Sequence, residues 1–154
     1  MSTHKPVLLK ESIAALNLKK GAVVVDATLG GGSHSIEILK KILPQGKLIA
    51  IDADSEAIDR FQIKNQKSEI KIDKDIFLVN DNFGNLKSIL ENLKIDKVNA
   101  ILADFGISSD QIEDAERGFS FQKDGVLDMR MDKNQKLTAA AVVNSRSEDE
   151  IERI

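Results

Sequence analysis

Apolar and polar positions fall in blocks along this chain. Four apolar runs, "AVVVDAT" (22–28), "KLIAIDAD" (47–54), "IFLVNDN" (76–82) and "VNAILADFG" (98–106), are largely aliphatic and β-branched, and each leads into an acid near small or turn-forming residues. Runs of this length predict strands buried on both faces, the habit of a parallel sheet. Between them the apolar positions recur at helical spacing. Ile36, Leu39, Ile42 and Leu43 form one stripe in 33–43; Ala57, Ile58 and Phe61 form another in 55–67; Leu86, Ile89, Leu90 and Leu93 form a third in 84–93. Strand and helix in alternation predict an α/β fold with a mostly parallel sheet.

The segment "PVLLKESIAALNLKKG" predicts a helix capped by Gly21 and packed through Leu9, Ile13 and Leu16. After residue 106 the rhythm changes to a polar, turn-rich stretch, and a last helix is predicted to begin at about 137 or 147. The chain stops at Ile154 with no helix-ending signal, which predicts a domain cut short after its fourth or fifth strand. In open α/β sheets ligands bind at the carboxyl ends of the strands, where strand order reverses. Asp26, Asp52, Asp81 and Asp104 are therefore expected to face one cleft.

Composition narrows the chemistry. The 154 residues, 42% hydrophobic, suffice for one domain or part of one. The absence of cysteine excludes disulfides, thiolate zinc sites and a cysteine nucleophile. The apolar run near the amino terminus is four residues long, too short for a signal-peptide core, and nothing approaches the ~20 apolar residues of a membrane span. A soluble, cytoplasmic protein with no membrane partner is expected. Net charge is −3, but residues 1–49 carry seven lysines against Glu11, Asp26 and Glu37. A basic amino-terminal third can face phosphates; a solvated helix surface is the commoner meaning of such charge.

The glycine loop in "DATLGGGSHS" (26–35) lets backbone approach a ligand without Cβ obstruction and aims helix-terminal N–H groups at it. Gly30 and Gly32 fit the dinucleotide spacing, but Ser35 stands where the third glycine belongs, which weakens an NAD-dependent oxidoreductase without excluding it. A nucleoside-triphosphate phosphate loop needs a lysine that the segment lacks. Asp52, 22 positions past Gly30, is placed to accept the hydroxyls of an adenosine ribose, in NAD or in S-adenosyl-L-methionine alike. Asp54 is better read as the N-cap of the helix beginning at Ser55.

The segments "HKPVLLKE" (4–11), "DATLGGGSHS" (26–35), "AIDAD" (50–54), "ADFGISSDQIEDAERGFSFQKDGVLDMRMD" (103–132) and "AAAVVN" (139–144) together resemble the ribosomal RNA small subunit methyltransferase H (MraW-like) family. The resemblance covers nearly the whole chain. It implies a Rossmann-like class I S-adenosylmethionine-dependent methyltransferase fold, with residues 1–154 forming the amino-terminal part of one domain. It further implies N4 methylation of a cytidine in 16S rRNA of the small ribosomal subunit. Carried over position by position, it assigns cofactor contacts to Gly32, Ser33, His34, Asp52, Phe83, Asp104 and Gln111. Ser33 departs from the family's glycine and would be strained if its φ were positive. Asp110 and Ile112 replace the usual Pro and Leu around Gln111. The family's proteins are roughly twice as long, with a helical insertion and further strands, so the match is to the cofactor-binding front half. A binding module without methyl transfer is the alternative.

Methyl transfer from a sulfonium is an in-line displacement that needs positioning and no covalent enzyme step. The lack of cysteine fits an exocyclic amine better than cytosine C5. Asp104 is a candidate acceptor for the amine hydrogens, although the resemblance gives it to the cofactor. Phe119 and Phe121 in "RGFSF" read either as a stacking platform for an extruded base, with Arg117, or as one buried face of a strand. Asp128, Arg130 and Asp132 read either as a structural arginine bridging two acids or as groups at the target cytidine. His4 reads as an exposed terminal histidine, and His34 as a cofactor contact at a helix N-terminus.

Overall fold

The computed structural model describes residues 8–154, so His4 and the start of "HKPVLLKE" lie outside the described residues. Two compact units divide the chain, the first ending at Phe105 and the second running Gly106–Ile154. Among the described residues no helix is long and apolar enough to cross a membrane.

In the first unit α1 (Leu9–Ala15), β1 (Val23–Asp26), α2 (Ser33–Ile42), β2 (Lys47–Asp52), α3 (Ser55–Asn65), β3 (Ile76–Asn80), a 3-10 turn (Phe83–Asn85), α4 (Leu86–Asn92) and β4 (Ala100–Leu102) follow in order. The strands pair in parallel in the order β3-β2-β1-β4. The chain therefore winds outward from β1 to β3 and then crosses back to place β4 on the other side of β1. Order reverses between β1 and β4, which marks the crevice at their carboxyl ends.

The pleat divides the apolar strand residues between two cores. Val24, Leu48, Ala50 and Ile76 pack with Ile13 of α1, Ile38, Leu39 and Ile42 of α2 and Phe61 of α3. Val25, Ile49 and Ile51 pack on the opposite face with Ile89 of α4. Each fully buried Ile or Leu contributes about 1.5–3 kcal/mol, so β1 and β2, buried through most of their length, anchor the unit.

Several expectations change. Burial on both faces holds for β1 and β2 but not for the two outer strands: β3 is fully buried only at Ile76, and in β4 Ile101 is 49% exposed. Helix α1 ends at Ala15, with Leu16 as its C-cap and Asn17 in the left-handed conformation (φ 48°), four residues before Gly21, which instead turns the chain into β1 and donates its N–H to the Ile42 carbonyl. The buried side of α2 is His34, Ser35, Ile38, Leu39 and Ile42, while Ile36 and Leu43 are only partly buried. Two polar side chains on the core face displaced the expected stripe. Asp54 caps α3 as expected, accepting the Glu56 N–H at 3.1 Å.

The second unit contains α5 (Ser109–Glu113), a 3-10 turn (Ala115–Arg117), α6 (Ala139–Ser145) and α7 (Glu148–Ile151), so both positions considered for a late helix are used. Thr138 and Ser147 cap the last two. No strand forms at residues 119–121: Phe119 is partly buried and Phe121 fully exposed, which removes the buried-strand reading of "RGFSF". Gly118 breaks the run with φ 70°, and a Cβ there would collide with the Val126 carbonyl. Arg117 instead organises the loop: it is 2% exposed and donates through Nη2 to the carbonyls of Arg130 (3.0 Å) and Met131 (2.9 Å).

Candidate functional site

The loop after β1 is pinned to both neighbouring strands. Ala27 N–H donates to the Leu102 carbonyl (2.8 Å) and Leu29 N–H to the Ile51 carbonyl (2.9 Å). The Thr28 hydroxyl accepts the Asp104 N–H at 2.8 Å, and Gly30 N–H donates to the Asp52 carboxylate at 2.7 Å. Asp52 accepts the Asp54 N–H at 2.9 Å through its other oxygen. One carboxylate thus fastens the glycine loop to the end of β2 and keeps lone pairs for a further donor. Burial raises the Asp52 pKa above the ordinary carboxylate value, and these two N–H groups oppose the rise.

Glycine is required at Gly32. Its φ is 75°, it serves as N-cap of α2, and a Cβ would enter the ring of Phe61. Gly32 brings no side chain to cap the first-turn N–H groups of α2, which at a helix start favour an acceptor. A Cβ on Gly31 would stand in open space, so the loop backbone there is approachable. Ser33 is the first helical residue and is absent from the positive-φ positions, so replacing the family's glycine strains nothing.

His34 follows and is 7% exposed. Its Nε2 is buried without a hydrogen-bond partner, and its Nδ1 lies 3.9 Å from Asp104 Oδ2, beyond hydrogen-bond range. A buried imidazole nitrogen left unpaired costs free energy unless something supplies a partner. Asp104 itself is 61% exposed at the end of β4. Phe83, in the turn after β3, is 45% exposed and meets Phe105.

The four acids do not share one role. Asp26 is fully buried beneath the loop, held by the Ser35 hydroxyl (2.7 Å) and the Thr28 N–H (3.2 Å), and desolvation pushes its pKa up to about 7. Ser35 on α2 draws it inward, away from the cleft. Asp81 accepts from Asn82 N–H (2.7 Å) and Asn85 Nδ2 (2.8 Å) and shapes the turn carrying Phe83. Asp52 and Asp104 are the acids left at the crevice.

Gln111 belongs to the second unit, where it is buried and forms a capping box with Ser108. In "DMRMD", Arg130 pairs with Asp128 (Nη2–Oδ2 2.6 Å), holding that carboxyl down at about 2, and also binds the Lys133 carbonyl (2.9 Å). Asp132 accepts the Asn134 N–H instead, so the arginine bridges one acid and carbonyls, not two acids. Sequence reasoning missed Thr28, which ties the β1 and β4 loops, and Phe105. A hydroxyl beside a glycine loop was the available signal for the first; no spacing distinguished the second.

The family model described as the MraW methylase family matches residues 1–154. Ribosomal RNA small subunit methyltransferase H of Clostridium botulinum (strain Okra / Type B1) is 50% identical over 151 residues, 98% of this chain and 47% of that protein. The protein of the same name from Halothermothrix orenii is 47% identical over 154 residues, 100% of this chain and 48% of that protein. The chain spans about half the length of these curated relatives. Among solved structures, SMU.1697c of Streptococcus mutans in complex with SAH superposes with TM-score 0.56 at 18% identity, covering 69% of this chain and 56% of that one. A SAM-dependent O-methyltransferase of Thermotoga maritima gives TM-score 0.52 at 17% identity, covering 68% and 38%. These likenesses establish the Rossmann-like fold of class I SAM-dependent methyltransferases.

Proposed function

The chain belongs to the MraW methylase family, and from that premise we propose that it is the cofactor-binding, amino-terminal part of an enzyme methylating N4 of a cytidine in 16S rRNA. S-adenosyl-L-methionine is the proposed cofactor and the small ribosomal subunit, in the cytoplasm, the proposed partner. Membership in a methylase family favours this reading over an NAD-dependent oxidoreductase.

The observation that carries the cofactor reading is the Asp52 carboxylate fixed on Gly30 N–H at 2.7 Å, at the switch point of a parallel sheet. Gly32, Ser33 and His34 offer the first turn of α2, Asp52 the ribose acceptor, Phe83 a face for the base, and Asp104 an exposed acceptor beside His34. The unpartnered His34 Nε2 fits a ligand that completes its hydrogen bonding. Gln111 is proposed for the same site only from its place in the family's motif. When bound, the cofactor supplies an electrophilic methyl group on a sulfonium. The residues here would orient it and hold the amine acceptor in line, a direct displacement that needs no covalent nucleophile, and the chain has no cysteine to offer one. Asp104 is the available carboxylate to accept an amine hydrogen.

Isothermal titration of S-adenosylmethionine into the chain, with NAD and Asp52→Ala as controls, tests the reading. Saturable heat lost in Asp52→Ala and absent with NAD is expected. No heat from a protein folded by circular dichroism would refute it for this chain. Binding without methyl transfer to small-subunit RNA would favour the binding-module alternative.

A further inference from the structure

Strands β3 and β4 are the two edges of the sheet, with β2 and β1 between them. At a spacing of ~4.8 Å per strand, their ends stand roughly 14 Å apart. Yet Phe83, three residues past β3, and Phe105, three residues past β4, meet with ring centroids 5.2 Å apart and planes tilted by 53°. The two segments therefore reach toward each other above the ends of β2 and β1, where Asp52 and Gly30 are joined. The chain has six phenylalanines and no tryptophan or tyrosine. Two of the six are spent here, 45% and 70% exposed, although burial of such rings is favourable.

Resting on the proposed adenosine-cofactor reading, we infer that Phe105 is a second aromatic contact for the cofactor's adenine, forming with Phe83 a tilted corner that receives the base. The centroid separation leaves no room for a base between the rings, so the base packs on the free face of the corner beside Asp52. The loop side chains near Phe83 are already committed: Asn82 accepts the Gly84 N–H at 2.7 Å, and Asp81 holds Asn82 and Asn85. Apolar area from the β4 side is thus what the corner adds. Phe105 is a positioning and affinity residue here and takes no part in methyl transfer.

The test titrates S-adenosylhomocysteine into the 154-residue chain and its Phe105→Ala, Phe105→Leu, Phe105→Tyr and Asp52→Ala variants. Phe105→Ala is expected to raise Kd about tenfold, the order of one lost base–aromatic contact. Phe105→Tyr should return it to within about twofold, and Phe105→Leu should fall between. The second readout is taken at saturating ligand on variants shown folded by circular dichroism: saturation transfer from phenylalanine ring protons to adenine H2 and H8 in otherwise deuterated protein, weakened in Phe105→Ala and Phe105→Leu. Unchanged Kd and unchanged transfer in both, with binding lost in Asp52→Ala, would overturn the inference and leave the cofactor reading standing. Failure of the unsubstituted chain to bind would overturn both. Should Phe105→Ala not fold, the Leu variant and the transfer spectrum decide the matter alone.

Discussion

Replacing Asp26 by asparagine should make the protein more stable, by an amount that grows with pH. In the folded chain burial raises the Asp26 pKa from 3.8 to about 7, while bonds from Ser35 and Thr28 oppose the rise. The native state thus holds a proton that the unfolded chain has already lost, and where the native state binds more protons, stability falls as pH rises. The neutral group carries no penalty well below 3.8; the cost accumulates through the interval up to about 7 and is then constant. At about 1.36 kcal/mol per pKa unit the full cost is about 4 kcal/mol. About 2–3 kcal/mol of it falls between about pH 5 and about pH 8. An asparagine side chain at this position can accept the Thr28 N–H through Oδ1 and donate through Nδ2 to the Ser35 hydroxyl oxygen, and it cannot ionise. Urea unfolding followed by circular dichroism at both pH values should therefore show Asp26→Asn gaining about 2–3 kcal/mol on the unsubstituted chain as pH rises. A stability difference independent of pH would refute the reasoning, because it would mean that Asp26 ionises alike in the folded and unfolded chains.

Gly32→Ala adds a Cβ that meets the Phe61 ring at a position with φ 75°, and should cost about 1–2 kcal/mol from backbone conformation alone, plus the repacking; a thermal melt and an S-adenosylmethionine titration should both deteriorate. Arg117→Ala removes a buried guanidinium and two charge-assisted bonds to carbonyls, a loss of about 3 kcal/mol or more. Hydrogen exchange should accelerate across residues 115–131 while β1 and β2 stay protected, and uniform acceleration of both units would contradict the local role of Arg117. Because burial raises the Asp52 pKa above its ordinary value, its carboxylate takes up a proton at a higher pH than an exposed aspartate does, so cofactor affinity should decline as pH falls through that raised pKa. A flat profile in the unsubstituted chain would count against Asp52 as the ribose acceptor.

The central strands and the Asp54 cap of α3 were legible in the chain because short-range chemistry decides them, whereas the expected Gly21 cap of α1 was not. "VVVD" and "KLIAID" are buried whichever neighbours they acquire, and Asp-Ser-Glu at 54–56 caps a helix through its own backbone. What depended on distant partners was less legible. The burial of β4 turned on whether a strand lay beyond it, and the inward turn of Asp26 on a serine one helix away. The core face of α2 misled because His34 and Ser35 occupy it, and polar residues count against burial in any periodicity. At "RGFSF" the alternation of phenylalanines suggested a strand, but the left-handed Gly118 and the Arg117 bonds to carbonyls impose a loop. Asp52 and the glycine loop were legible from spacing, and their hydrogen bond gives that spacing its geometry. The pairing of Phe83 with Phe105 joins segments 22 positions apart and left no trace in any local pattern.

The loop that follows β1 is held by bonds to β2 on one side and to β4 on the other, and these two supports are unequal. Strand β2 has six residues and lies inside the sheet, whereas β4 has three and lies at its edge. Segments with few buried apolar contacts, as in β4 where only Leu102 is buried, open at less than the global unfolding free energy. Each such opening would release Thr28 from Asp104 and Ala27 from Leu102 while Asp52 still gripped Gly30. The three-residue β4, and not the six-residue β2, is therefore the support whose local opening the glycine loop's shape would follow.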